Sequence, residues 1–140
     1  MKPRITVLTL GVDDLEAAVR FYRDGLGLPT DGIMGTEFEH GAVAFFKLQG
    51  GLLLAVWPRD SIAHDTQLPK TARNATEFTI GQNVRSTEEV DQVMAQAQAA
   101  GARVIKPAGP TFYGGYAGYF QDPDGHLWDI VFNPQLLPDD

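Results

Sequence analysis

Three histidines, no cysteine and a scatter of carboxylates are what the chain offers for metal or nucleophilic chemistry. The absence of cysteine excludes disulfides, zinc–thiolate and iron–sulfur centres, and a thiol nucleophile. His40, His64 and His126 are widely separated, so a metal centre would rest mainly on carboxylates. The one local group of possible ligands is Glu37, Glu39 and His40; in an extended segment the glutamates share a face and the histidine takes the other. His64 lies among turn-forming polar residues and reads as solvated surface. His126 follows Asp122-Pro123-Asp124-Gly125, where proline presets φ for a tight turn and glycine takes the left-handed position, so it reads as packing on or capping a hairpin. The segment TFYGGYAGYF (111–120) interleaves five aromatic rings with small residues. Phe112, Tyr113 and Tyr116 suit either stacking on a flat ligand or filling space between modules, whereas Tyr119 and Phe120 read as core.

These residues need a scaffold, and 140 residues suffice for one domain or for two half-size modules sharing a core. Residues 5–12 read as a buried strand, Asp13 and Asp14 offer an N-cap, and Leu15, Ala18, Val19, Phe21 and Tyr22 recur at helical spacing up to Gly25 and Gly27. Short apolar runs at 33–34, 43–48 and 52–57 follow as strands. The same order returns: a strand over 77–84, a helix capped by Ser86 and stopped by Gly101, and strands near 103–105, 116–120 and 126–132. Leu8 and Val12 recur 72 residues later as Ile80 and Val84, while 38–57 aligns with 112–131 without gaps. The reading is an internal duplication of βαβββ, with module one at 4–58, a linker at 59–75 and module two at 76–134.

A net charge of -7 with only 11 basic residues argues against nucleic acid as a partner, because phosphate binding needs clustered lysine and arginine. No stretch reaches the length of a membrane span, and the opening MKPRITVLTLGVDD does not read as a signal peptide. Cytoplasmic localisation, with neither nucleic acid nor membrane as partner, is the expectation.

The segments ITVLTLGVDDLEAAVRFYRDGLGL (5–28) and GGYAGYFQDPDGHLWDIVFNP (114–134) resemble the vicinal oxygen chelate superfamily, which includes glyoxalase, bleomycin-resistance and extradiol dioxygenase proteins. The resemblance implies an α+β fold of two tandem βαβββ modules whose mixed sheets curve around a shared cavity, and a homodimer. It also implies metal-ligand positions on the first and last strand of each module. Here these are Val7, Ala55, Thr79 and Asp129, of which only Asp129 is a competent ligand. No metal and no other cofactor is therefore expected.

Strand alternation then sorts the walls. Val7, Thr9, Ala55, Trp57, Thr79, Asn83 and Asp129 are expected to face the cavity, with Phe112, Tyr113 and Tyr116 at its rim, while Trp128, Ile130 and Phe132 lie behind the sheet. Asp129 is the single catalytic candidate; in an apolar cleft its carboxylate would receive a cationic ligand, act as general base or be satisfied internally. The expected function is a metal-independent binder of a small aromatic or cationic molecule. The alternatives are a glyoxalase-like lyase or isomerase, or a dioxygenase, with a non-standard metal site, and a dimerising or regulatory module.

Overall fold

The computed structural model describes residues 1–139, which divide into two units that part between Ala72 and Arg73. In the first unit β1 (Val7–Val12) leads into helix α1 (Leu15–Val19), followed by β2 (Thr30–Met34), β3 (Val43–Lys47) and β4 (Leu53–Pro58). The sheet order is β1-β4-β3-β2, with β1 parallel to β4 and the other pairs antiparallel. The second unit repeats the plan: β5 (Ile80–Val84), helix α3 (Thr87–Ala99), β6 (Arg103–Pro110), β7 (Tyr116–Gln121) and β8 (Leu127–Phe132), in the order β5-β8-β7-β6. Both units are thus βαβββ, and the register carries the duplication into space. Thr9 pairs with Ala55 in the first unit, and their counterparts Gly81 and Asp129 pair in the second.

Local chemistry sets the helix ends. Asp14 accepts from the Ala17 amide at 2.9 Å and starts α1. The expected continuous helix up to Gly25 is α-helical only as far as Val19. From Arg20 to Gly25 it widens into a π-turn, in which the Leu26 amide reaches back to the Phe21 carbonyl. That widening buries Phe21 and Tyr22 together, and Tyr22 packs on Phe46 of β3 at a ring separation of 5.6 Å. In the second unit Ser86 caps α3 through the Glu89 amide, and the Glu89 carboxylate returns to the Arg85 amide at 2.7 Å. The helix buries Val90, Met94 and Ala97 along one stripe. Gly118 of β7 faces this stripe, where a side chain would meet Met94 at about 3 Å.

The segment read as a linker contains regular structure. Helix α2 (Arg59–Thr66) follows β4 and lies on the sheet face opposite α1, with Arg59 and Ile62 against Gly11. Its hydrophobic periodicity is weak because few of its residues are buried, and this hid it from a pattern-based reading.

The β7–β8 hairpin is closed by Asp122, which is 4% exposed. Its carboxylate accepts from the Asp124 amide (3.0 Å), the His126 amide (2.8 Å) and the His126 ring Nδ1 (2.7 Å). Arg73 adds an ion pair to Asp124 at 3.1 Å. Replacement Asp122→Ala leaves these donors without their acceptor, so chemical denaturation should show a loss of about 2–3 kcal/mol. Arg73→Ala, at a partly exposed pair, should cost about 1 kcal/mol or less.

Candidate functional site

The two central strands of the second unit place the candidate acid. Counting three residues outward from the hairpin's closing pair, Asp122 and His126, sets Tyr119 directly across from Asp129. Lys106 of β6 is in register with Tyr119, and Gly81 of β5 with Asp129. Lys106, Tyr119, Asp129 and Gly81 therefore form one row across all four strands, on the face turned away from α3. Asn83 and Val131 form the neighbouring pair on that face.

Within this row Asp129 is poorly compensated. Its Oδ1 is buried and is the one buried side-chain polar atom without a hydrogen-bond partner among the described residues. Burial raises the carboxyl above its ordinary value, with partial relief from the facing Tyr119 hydroxyl and from the charge on Lys106. Tyr119 is raised in turn, by burial and then by the Asp129 charge. Lys106 is exposed and makes no ion pair with Asp129 within 4.0 Å.

The other expected site residues separate into groups. In the first unit Val7, Thr9, Ala55 and Trp57 share the sheet face that α2 partly covers. Ala55 is only 1% exposed, so it is packing rather than a ligand-lining surface. Trp57 donates its indole N–H to the His40 carbonyl at 2.9 Å. His40, with φ of 56°, accepts or donates at Nδ1 to Ser61 of α2 at 3.2 Å and stacks on His64 at 4.2 Å. The two histidines, distant in sequence, are thus neighbours: His64 is exposed, as expected, and stacks on His40, while Arg59 at the start of α2 pairs with Asp13.

In the second unit Thr79 lies just before β5 and is exposed, outside the strand expected to carry it. Tyr116 is a correction: it is on the α3 side of the sheet, opposite Asp129, where its hydroxyl donates to Asp91 at 2.9 Å. Phe112 and Tyr113 occupy the tip between β6 and β7, packed edge to face, with Phe112 fully exposed. Tyr119, expected in the core, instead belongs to the Asp129 row, and Lys106 was missed. Hairpin counting from the Asp-Pro-Asp-Gly turn would have found Tyr119. No such count reaches Lys106, because β6 shifts register on both sides of it.

Among the described residues no three histidine or acidic side chains converge. His40 and His64 present stacked faces rather than converging nitrogens, and Val7 and Ala55 donate nothing. The residues present do not fit a divalent metal site. Two depressions on the first unit, of about 280 and 500 Å³, are lined around Glu16 and Ile33 and include none of the expected site residues.

Residues 4–130 match the model of the Glyoxalase/Bleomycin resistance protein/Dioxygenase superfamily. The chain belongs to this superfamily. Its fold matches a glyoxalase-related enzyme from Fulvimarina pelagi at a TM-score of 0.81 and 36% identity, covering 94% of this chain and 89% of that one. It also matches a lactoylglutathione lyase from Agrobacterium tumefaciens (TM-score 0.68, 23% identity, 96% and 97% covered). A third match is a mutant fosfomycin resistance protein from Listeria monocytogenes, complexed with Mn(II) and a dihydroxypropylphosphonic acid (TM-score 0.69, 22% identity, 96% and 94% covered). The last two establish likeness of fold alone. No curated protein sequence matches the chain. Among the described residues no helix is long and apolar enough to cross a membrane.

A carboxyl whose folded-state pKa is raised binds its proton more tightly in the folded than in the unfolded chain. Its contribution is favourable below the unfolded value and is lost as pH rises through the folded one. The stability of Asp129→Asn minus that of the unsubstituted protein, measured by urea denaturation, should therefore increase with pH through and above the ordinary carboxylate range and then level off. A difference flat in pH would show that Asp129 is fully compensated.

Proposed function

We propose that this superfamily member is a metal-independent small-molecule binder whose ligand seats on the Lys106–Tyr119–Asp129–Gly81 row. The observation that carries the reading is the buried, unpartnered Oδ1 of Asp129, an acceptor in the middle of a sheet face that folding alone leaves unsatisfied. At the positions where the resemblance implies metal ligands, this chain supplies one carboxylate with a valine, an alanine and a threonine. One carboxylate does not retain a divalent ion at useful affinity.

Proteins of similar fold include a lactoylglutathione lyase and a resistance protein complexed with Mn(II), so metal-assisted catalysis is the reading to test against. Protein purified without chelator should carry well below one equivalent of Mn, Fe, Ni, Co or Zn by elemental mass spectrometry. A stoichiometric metal would overturn metal independence. Binding itself is read by nuclear magnetic resonance with a small aromatic fragment panel. Fragments should shift the amide signals of Gly81, Tyr119 and Asp129 as a group, and a panel that leaves this face unmoved counts against the assigned seat.

A further inference from the structure

The polar groups of the row are specific enough to name the charge of its occupant. We propose that the seat takes an organic cation, an amidinium or ammonium group on a flat aromatic body, with an N–H directed at Asp129 Oδ1. This rests on the reading that the face binds a small molecule, and adds the chemical class.

Three observations support it. Oδ1 can only accept while the carboxyl is ionised, and no group of the described chain donates to it. Tyr119 lies directly across from Asp129 and its hydroxyl favours the ionised carboxylate, so what it can offer a ligand is an oxygen with acceptor capacity and the face of a ring. A bound carboxylate would bring like charge to this pair. A neutral amide could donate but would leave the net negative charge of a partly desolvated group uncompensated. A cationic N–H satisfies the acceptor and the charge together, and charge-assisted hydrogen bonds of this kind are about twice as strong as neutral ones.

Space is the second observation. Gly81 is Asp129's neighbour in register, and its backbone is not in the left-handed region that demands glycine. A side chain there would meet nothing within 4 Å. Its lack of a side chain leaves open space beside the carboxylate. The third observation is aromatic: the Tyr119 ring stands next to Asp129. Tyrosine faces attract cations that have shed part of their water. Lys106, at the far end of the row, opposes a cation and confines it to the Asp129–Gly81 end.

The test uses the full chain and three probes of nearly equal shape: benzamidine, benzamide and benzoate, titrated by calorimetry and amide chemical shifts at fixed ionic strength. Benzamidine should bind at least tenfold more tightly than the other two and shift Gly81, Tyr119 and Asp129. Asp129→Asn should remove that preference. Lys106→Met, a change at an exposed side chain that leaves the fold intact, should tighten benzamidine several-fold, and Gly81→Val should weaken it at least tenfold. If benzamide or benzoate binds this face as tightly as benzamidine, the cation assignment is overturned while the small-molecule reading stands. If none of the three shifts the row, both are overturned.

Discussion

The register of the β7–β8 hairpin is the constraint on which the candidate site depends. It is held by one buried carboxylate, Asp122, which gathers two amide N–H groups and an imidazole nitrogen within 3.0 Å. Side chains alternate along a strand, so a slip of one residue would exchange the faces of β7 against β8. Phe120 would then part from its stacked neighbour Trp128, and Tyr119 would no longer lie beside Asp129. The same few hydrogen bonds therefore position both the core and the polar row.

The two faces of the second unit's sheet divide the work. The α3 side carries the stabilising apolar contacts, with Phe120, Ile130 and Gly118 packed beneath Val90 and Met94. The other side carries a carboxylate that burial disfavours and packing does not compensate. A group held at a cost to folding, next to space left open by glycine, is where a local consistency rule is broken, and such breaks concentrate at sites of function. The first unit differs. Its equivalent row, Thr9 and Ala55, lacks a charge, and α2 covers the adjoining Gly11. The two similar sheets thus differ on this face: one carries an acid and the other is partly covered by a helix.

Much of this was legible in sequence because it is local. Asp14 and Ser86 announce helix starts, Gly101 a stop and Asp122 to Gly125 a hairpin, each through interactions spanning only a few residues. Alternation correctly set Trp128 and Ile130 apart from Asp129, since a strand obeys the same period wherever it is packed. Tyr119 was read as core and Tyr116 as a rim candidate because the aromatic-rich segment was read by composition, when the turn that follows it already set the parity.

The amino-acid sequence by itself determined the repeated βαβββ plan and Asp129 as the singular acid of its strand, both of which follow from residue identity and short-range periodicity. Only the tertiary structure decided which residues keep Asp129 company. Lys106 reached the row through a bulged strand, and His40 met His64 through a left-handed residue and a helix with little hydrophobic pattern. Such contacts depend on register shifts and long-range packing, whose free energies are shared among many distant residues and leave no periodic trace along the chain.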